Sequence, residues 1–599
     1  KSLSGRIAGV YIRSNAGRPG ESGTVQIRGI NTLTGNREPL WVLDGMPLPT
    51  GEVSTNVNQL LTRGLGNIPP EDIESISILK DATASAIYGS RAANGVIVVT
   101  TKQGRSGKNY LSYSGKYSVS EKPTNKFHFM NTPEKVDFER SIFSDFKDPY
   151  GGRVVRILNA VEKGNITEQE AESQIDQLMQ VNTNWMDVIM RNAASQSHVL
   201  SLSGGNDKTQ YYSSLNYSKA SGVLQTNNYE NAGLNIKLSN YVRKNLLVRF
   251  NLYSTIKRNK EGQSAVDPFT YASFANPYEK PYNSDGSYAS DLTYVTTSAD
   301  VPDPYVGYDK FNILNELNNN TKTDSYSNAR AQLGAEYNFL KNFRFTATGT
   351  FNYSVVQTMD ESAPGTYRSK FNNWMKFVFP DIFTGGIPDG YNNGFLKESS
   401  AKALDYSARA TLEFNKNIQR HFVQLMVAEE LGGNKNNQFF HLNPVYYPDS
   451  RIAGYPDIYS YFPSTRLNLK ALGGTSFTQE KSASFISSGS YSYDNRYVFN
   501  CSFRNDGVSI LGNRNQFSPL WSAGVQWNMH NENFLRNSNV IDRMVLRAGF
   551  GYRGSINQSG VYPFSYYSLN TAGNTYNGIL YGSSITYGNP VLKWEKKQN

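Results

Sequence analysis

Strict two-residue alternation of apolar and polar side chains is the sequence feature that most restricts the fold of this chain. At 404–414, Leu, Tyr, Ala and Phe residues occupy every even position, while the odd positions are polar or charged. Residues 343–353 and 497–504 alternate in the same way. Because successive side chains of a strand point to opposite faces, each segment predicts a strand with one apolar and one polar face. The apolar face then meets either the core of a soluble sandwich or the lipid around a membrane barrel.

The lengths of the connections between these strands favour the barrel. Soluble domains rarely carry several unstructured connections longer than about 15 residues. Outer-membrane barrels combine short periplasmic turns with long outer loops. The predicted short turns are 205–208, 242–245, 340–342, 415–418 and 494–496, and the predicted long connections are 258–322, 358–402, 432–478 and 554–590. We therefore predict a mainly β fold, a transmembrane antiparallel β-barrel of which about fourteen strands lie in this chain.

Composition agrees with a barrel and argues against other classes. No window approaches the ~18–20 consecutive apolar residues of a transmembrane helix. The single cysteine, Cys501, excludes an intramolecular disulfide framework. The net charge of +10 comes without a long run of Lys or Arg, so we predict no nucleic-acid partner. The five histidines lack metal-ligand spacing, and we predict no metal site and no cofactor.

One insertion, at about 131–195, is predicted to be helical. Thr132 and Pro133 place a cap and a proline at a helix start, and Thr167 with Glu170 forms a capping-box pattern. The insertion follows the first predicted strand. Because strand direction alternates, we expect it on the outer side of the membrane.

A continuous passage near the N-terminus carries the most specific signal. It reads VQIRGINTLTGNREPLWVLDGMP at 25–47 and NIPPEDIESISILKDATASAIYGSRAANGVIVVTTKQG at 67–104. We predict short strands at 25–28, 40–43, 73–79 and 95–101 and one helix at 81–88. The passage resembles the α+β plug domain of TonB-dependent outer-membrane transporters, and LKDATASAIYGSRAANG resembles the SusC/RagA type. Segments 201–225, 502–527 and 589–599 also resemble SusC-like barrels.

The resemblance implies a plug domain at 1–107 and a barrel domain at 108–599. It also implies a full barrel of about 22 strands. Because a barrel with missing strands would expose unpaired edges in the bilayer, we expect the chain to be a fragment that lacks both termini. The implied location is the outer membrane of a Gram-negative, Bacteroidetes-like bacterium, in contact with lipid.

The function that the resemblance implies is active nutrient import, with an oligosaccharide as the first expectation for the cargo. TonB, working with ExbB and ExbD, would displace the plug by using the proton-motive force. A SusD-like surface lipoprotein would capture the cargo. The alternatives are a RagA-type peptide importer, a siderophore or cobalamin transporter, and a surface receptor or adhesin that does not transport.

The site residues follow from the family topology. Three plug loops, at 13–24, 31–38 and 47–65, are expected to face the outer cavity, with Arg18, Asn36 and Arg37 as substrate contacts. Arg28 and Lys80 match basic family positions that tether the plug to the barrel wall. Their expected partners are acids on the polar face of the barrel, with Glu336 and Glu413 as candidates.

An enzyme is the least supported function. The sequence has no GxSxG elbow, Walker loop or dinucleotide fingerprint. Glu413, Glu429 and Glu430 would supply paired carboxylates for glycoside cleavage. We prefer the interpretation that these glutamates line the lumen and bond plug arginines, and we predict no enzymatic activity.

Overall fold

The computed structural model describes most of the chain. The described residues are 10–13, 24–27, 38–48, 68–79, 88, 92, 94–124, 126–146, 152–291, 311–371, 394–448, 452–454, 472–511, 516–536, 540–555, 566–569, 575–576, 579–580, 582–586 and 594–598.

Two small sheets lie in the N-terminal part. β1 (Val10–Arg13) pairs with β2 (Thr24–Ile27). Four strands form a second sheet, which we call the plug sheet: β3 (Leu40–Leu43), β4 (Met46–Pro47), β5 (Ile73–Leu79) and β6 (Val96–Thr101). β3 runs parallel to β6, and the other pairs are antiparallel. The four predicted strands agree with β2, β3, β5 and β6, whereas the predicted helix at 81–88 lies outside the described residues except for Tyr88.

A sheet of fifteen strands, which we call the wall, makes up most of the described chain. Its first fourteen strands are β7 (Gly107–Ser120), β8 (Ala193–Gly205), β9 (Thr209–Ser221), β10 (Asn228–Arg243), β11 (Leu246–Gly262), β12 (Asn320–Phe339), β13 (Phe343–Ser362), β14 (Gly394–Ile418), β15 (His421–Tyr447), β16 (Ile452–Gly454), β17 (Gly473–Tyr493), β18 (Tyr497–Val508), β19 (Phe517–Asn528) and β20 (Val545–Ser555). Two hairpins follow, in which β21 (Tyr566–Leu569) pairs with β24 (Gly582–Thr586) and β22 (Thr575–Tyr576) pairs with β23 (Ile579–Leu580). The last wall strand, β25 (Glu595–Gln598), pairs with β20.

Neighbouring wall strands are antiparallel, and they follow one another in sequence order apart from β16 and β25. β16 pairs at the end of β15, so β17 is the next full neighbour of β15. β7 and β25 stand at the two ends of the strand order. The predicted fold class, a mainly β structure with a large antiparallel sheet and a plug, is confirmed.

The two faces of the wall differ as the alternation predicts. On one face Phe345 lies opposite Leu412, and Phe351 lies opposite Tyr406, with 38–52% of each side chain exposed. Cys501 is exposed on the same face as Phe499. On the other face Arg344 lies opposite Glu413, and the plug sheet packs against this polar side. The wall is therefore apolar on the side away from the plug.

Four of the five predicted short turns lie where the strands end. Residues 340–342 connect β12 to β13, and 494–496 connect β17 to β18. The turn predicted at 415–418 is wrong, because Asn415–Ile418 continue the ladder with β15 and the chain reverses at 419–420, where Gln419 has a φ of 54°. The polar sequence NKN at 415–417 resembles a turn, but it lies at the end of β14. This strand extends beyond the alternating segment 404–414.

Seven α-helices lie in the described connections between wall strands. The segment in which a helical insertion was predicted contains α1 (Thr132–Phe146), α2 (Arg153–Glu162), α3 (Glu168–Met179) and α4 (Trp185–Ile189). α5 (Pro268–Phe274) and α6 (Ile313–Asn319) lie between β11 and β12, and α7 (Tyr367–Phe371) follows β13. The capping box of Thr167 and Glu170 is present in both directions. Single 3₁₀ turns occur at Pro70–Asp72 and Met529–Asn531.

None of the described helices combines the length and the apolar composition that crossing a membrane requires.

Ten buried side chains from three separate connections form a hydrophobic cluster at one end of the wall, which we call the loop core. It combines residues from α4, α5, α6 and α7. Its members are Trp185, Ile189, Met190, Tyr271, Ala272, Phe311, Ile313, Leu314, Leu317 and Tyr367. Because the members come from positions far apart in the sequence, their burial holds these connections together as one packed body.

The insertion helices join this body through Tyr278, which lies between β11 and β12. Its ring is buried among Val136, Val154 and Ile175. Its hydroxyl donates to Oε1 of Glu139 at 2.7 Å and accepts from the backbone N–H of Arg153 at 3.0 Å. Polar and apolar contacts therefore fix the insertion on the β11–β12 connection.

Glu316, on α6, is a fully buried carboxylate within the loop region. It accepts hydrogen bonds from the backbone N–H groups of Tyr367 and Arg368, at the start of α7, and from Nδ2 of Asn320. The Arg368 guanidinium pairs with Asp360 at 2.9 and 3.0 Å. Burial raises the pKa of Glu316 to about 7, and the two backbone donors and Arg368 offset only part of this effect.

The loop core should therefore lose stability as the pH rises. The folded-state pKa of Glu316 is about 7 against an ordinary value of 4.5, so the stabilising contribution is complete below 4.5 and is lost as the pH rises through 7. At about 1.4 kcal/mol per pKa unit, the loss is on the order of 3 kcal/mol. Hydrogen exchange of peptides covering 313–319 and 366–371, corrected for intrinsic rates, should show more opening at pH 8 than at pH 5.

Glu316→Gln should remove this pH dependence, since the amide is neutral at both pH values. The exposed Glu168→Gln, on α3, is the matched control and should leave the dependence unchanged. Equal opening of the wild-type peptides at both pH values would contradict the assignment.

Candidate functional site

The sequence-predicted site residues are only partly within the described residues. Arg18, Arg28, Asn36, Arg37 and Lys80 lie outside them. The tethering role predicted for Arg28 and Lys80 stays a prediction.

The two predicted wall acids are described, and each pairs with an arginine of the wall. Glu336 accepts from Nη1 of Arg249 at 3.0 Å. Glu413 pairs with Arg344 on the adjacent strand. Both glutamates therefore have a cationic partner within the wall itself.

The described contacts between the plug sheet and the wall centre on two plug carboxylates. The first, Asp44, stands in the turn between β3 and β4. Asp44 and Gly45 have φ values of 46° and 87°, which is the pattern of a tight hairpin turn with two left-handed residues. Such a turn favours the Asp-Gly sequence found here, because these residues tolerate positive φ. The hairpin thereby places the Asp44 carboxylate at the tip of the plug sheet, against the wall.

Asp44 binds plug and wall groups at once. Its Oδ1 accepts from the backbone N–H of Thr101 at 2.9 Å, and its Oδ2 accepts from the Thr101 hydroxyl at 2.8 Å. From the wall, Lys237 Nζ lies 2.9 Å from Oδ2, and the Tyr253 hydroxyl donates to the same oxygen. Gln332 donates to the backbone carbonyl of Asp44 at 3.2 Å. The carboxylate therefore links β6 of the plug sheet to β10 and β11.

The Asp44–Lys237 pair is nearly inaccessible to solvent, since the two side chains are 5% and 1% exposed. Lys237 also bonds the Thr101 hydroxyl. A buried ion pair of this kind gains little over an apolar contact, but removal of one partner leaves an uncompensated charge and is strongly destabilising. Moving the plug away from the wall therefore requires that two buried charges be separated.

The second carboxylate, Asp72, ends the 3₁₀ turn that precedes β5. Only 1% of its surface is exposed. It accepts from the Tyr212 hydroxyl at 2.7 Å, from the Ser214 hydroxyl, and from Nδ2 of Asn235 at 3.1 Å. These three donors are neutral wall groups on β9 and β10, so the described contacts hold Asp72 by hydrogen bonds from uncharged partners.

The wall residues that bind the plug acids share two register rows on the polar face. Tyr212, Lys237, Asn251 and Gln332 lie opposite one another in sequence across β9 to β12. The next row on the same face lies two residues along each strand. It consists of Ser214, Asn235, Tyr253 and Arg330. Tyr253 also packs into the apolar cluster of Ile27, Leu43, Ile97 and Val99. The described hydrogen bonds of Asp44 and Asp72 to the wall thus lie on strands β9 to β12.

Sequence reasoning missed this site. It assigned the basic partner to the plug and the acidic partner to the wall, whereas the described contacts have the acids in the plug and the lysine in the wall. A signal was present: Lys237 interrupts the otherwise uncharged polar face formed by Asn231, Gly233 and Asn235 on β10. Its partner Asp44 lies 193 positions away in the sequence, and no local sequence pattern indicates that the two residues pair.

Comparison with known proteins bears on these assignments. Residues 1–96 match the model of the TonB-dependent receptor plug domain. The chain is 27% identical to the TonB-dependent receptor SusC of Bacteroides thetaiotaomicron over 99% of its own length and 54% of that protein. It is also 27% identical to the TonB-dependent receptor P3 of Formosa agariphila, over 99% of its own length and 52% of that protein. The chain therefore spans about half the length of the curated relatives it matches.

Solved structures agree on the fold. The RagAB peptide importer in its open-open state superposes with a TM-score of 0.76 at 21% identity, over 100% of this chain and 62% of that one. The unliganded ferric citrate transporter FecA gives a TM-score of 0.51 at 11% identity, over 92% of this chain and 59% of that one. These likenesses show the fold, while the plug match and the similarity to SusC over nearly the whole chain support the SusC/RagA type of TonB-dependent receptor that the sequence predicts.

Removing one partner of the buried ion pair should loosen the plug. Asp44→Asn and Lys237→Met each leave one buried charge uncompensated, which costs about 3–5 kcal/mol. The double variant removes both charges, so its cost should be well below the sum of the two single costs. Hydrogen exchange of residues 96–101 in the detergent-purified protein measures the effect.

The exposed Lys244→Met, in the turn after β10, is the control and should leave exchange at 96–101 unchanged. Additive effects of Asp44→Asn and Lys237→Met would show that the two charges do not act as a pair.

Proposed function

We propose that this SusC/RagA-type TonB-dependent receptor imports an oligosaccharide across the outer membrane, through a lumen that the plug closes. The observation that carries the proposal is the arrangement of the wall. Its polar face binds the plug through buried carboxylates, while its opposite face exposes apolar and aromatic side chains such as Phe351 and Trp521. Lipid is the environment in which such an exposed apolar face is stable.

Import through a plugged lumen requires that the plug move, and the outer membrane has no ATP of its own. We propose that TonB, with ExbB and ExbD, supplies the work from the proton-motive force. The contacts of Asp44 and Asp72 are the resistance that such a pull must overcome on the β9–β12 sector. Within this proposal, residues 1–107 act as the plug domain and 108–599 as the barrel domain.

A SusD-like surface lipoprotein is the proposed partner on the outer side. The loop core and the insertion helices provide a preformed surface for it, because their apolar contacts already fix these connections without a partner. Such a surface loses little conformational freedom on binding.

The remaining site residues keep their proposed roles. Arg18, Asn36 and Arg37 are proposed as substrate contacts on plug loops. Arg28 and Lys80 are proposed as further tethers that approach Glu336 and Glu413. Since Arg249 and Arg344 already bind these two glutamates, each tether would add a second cation to an existing pair.

The second candidate cargo is a peptide. It is favoured by the fold likeness to the RagAB peptide importer, which has a higher TM-score than the likeness to the siderophore-type FecA structure. Siderophore or cobalamin uptake is less favoured for the same reason. The remaining candidate is a surface receptor or adhesin that does not transport. Measurement of uptake with and without TonB distinguishes it from an importer.

Deletion of the gene in its native host should abolish uptake of a fluorescent oligosaccharide, and a strain that lacks TonB should show the same loss. Restoring the gene should restore uptake only where TonB is present. Uptake that persists without TonB would contradict active import. A strain that loses peptide uptake instead of oligosaccharide uptake would identify the second candidate as the function.

A further inference from the structure

The described wall groups beneath the plug acids are hydrogen-bond donors. Tyr212, Ser214 and Asn235 donate to Asp72, and Lys237 and Tyr253 donate to Asp44. When the plug is displaced, both carboxylates leave together with it. The sector of β9 to β11 that they covered then presents five donors and one full positive charge, with the acceptors gone.

Arg330, on β12, adds a second positive charge to the same sector. It lies directly opposite Tyr253 in the register and two residues from Gln332, which contacts the Asp44 backbone. Only 3% of Arg330 is exposed. Its Nε and Nη2 have no hydrogen-bond acceptor among the residues that the structure describes.

The Asp405 and Asp44 carboxylates act on this guanidinium electrostatically, but two buried N–H donors without an acceptor are still costly, because they lose their hydration without a replacing hydrogen bond. Native proteins retain such groups where they serve a purpose. From the strand spacing and the register offset, the Cα atoms of Lys237 and Arg330 are about 12 Å apart. Both residues lie on the lumen face, so a single extended ligand is able to reach both.

We propose that the imported cargo is an acidic oligosaccharide, and that Asp44 and Asp72 occupy the wall positions which cargo carboxylates take when the plug is displaced. The proposal rests on the import function above and specifies its substrate class. In the resting state the plug supplies carboxylates to the tyrosine, serine, asparagine and lysine donors. During passage the cargo supplies them, and Arg330 gains an acceptor. Exchange of one carboxylate for another keeps the buried cations paired.

The net charge of the chain also favours an anionic cargo. Its 60 Lys and Arg residues exceed its 50 Asp and Glu residues, for a net charge of +10. A positive surface raises the local concentration of anionic ligands. Arg330 nevertheless provides a sharper test than Lys237, because neither plug acid is among its described hydrogen-bond partners, although the Asp44 carboxylate acts on it electrostatically.

The experiment compares matched pairs of oligouronides and their methyl esters, which share length and linkage and differ in the charge of each carboxyl group and in one added methyl group. Uptake is measured in cells that carry the full-length gene. The wild type should favour the acidic members, and Arg330→Gln should lower the acidic-to-neutral uptake ratio about tenfold or more, the range for a lost hydrogen bond to a charged group. Arg330→Lys should retain part of the ratio, since it keeps the charge but not the planar fork.

Lys244→Met, in the exposed turn after β10, is the control and should keep the wild-type ratio. The amount of each variant in the outer membrane is measured by immunoblot to exclude folding defects. An unchanged ratio in Arg330→Gln, or a wild-type preference for the esters, would overturn the proposal while TonB-dependent import stands. If no oligosaccharide of either kind is imported, or if an acidic peptide is imported instead, the proposed cargo itself fails.

Discussion

The seating of the plug depends on a charge that is buried at its border with the wall. Lys237 and Asp44 are each largely withdrawn from water, so each requires the other. The hairpin turn at Asp44 and Gly45, the position of Thr101 at the end of β6 and the inward orientation of β10 all serve to bring these two groups together. Because a one-residue shift of β10 would turn Lys237 to the apolar face, the ion pair also depends on the register of the wall.

The second plug acid illustrates a different physical solution. Asp72 is bound by three neutral donors. If this contact opens, no charged wall group is left without its partner. Two contacts of unequal electrostatic character thus lie side by side on the polar face. A displacement of the plug would release hydrogen bonds at one position and separate an ion pair at the other.

Much of this fold was predictable from the sequence, and the reasons are local. Alternation determines which side chain of each strand faces which way, so the apolar positions of Phe345 and Leu412 followed directly. Turn chemistry was less decisive, as the misplaced turn at 415–418 shows, because strand length depends on pairing with β15. The plug–wall contacts were missed because they join residues far apart in the sequence, and neither Asp44 nor Lys237 carries a local pattern that names its partner. The loop core likewise combines side chains from three connections, and only the folded chain brings them together.

The two-residue alternation has a consequence for how a protein of this kind diversifies. An insertion or deletion of one residue inside a wall strand exchanges the two faces for every position beyond it, placing aromatic rings on the polar face and charges on the apolar face. Length changes that preserve the fold are therefore confined to even numbers within strands or to the connections between them. The connections, among them the insertion helices and the loop core, are free to change in length and sequence while the wall keeps its pattern. Substitutions at single positions of the polar face leave the alternation intact, so they can change what the wall binds without changing its fold.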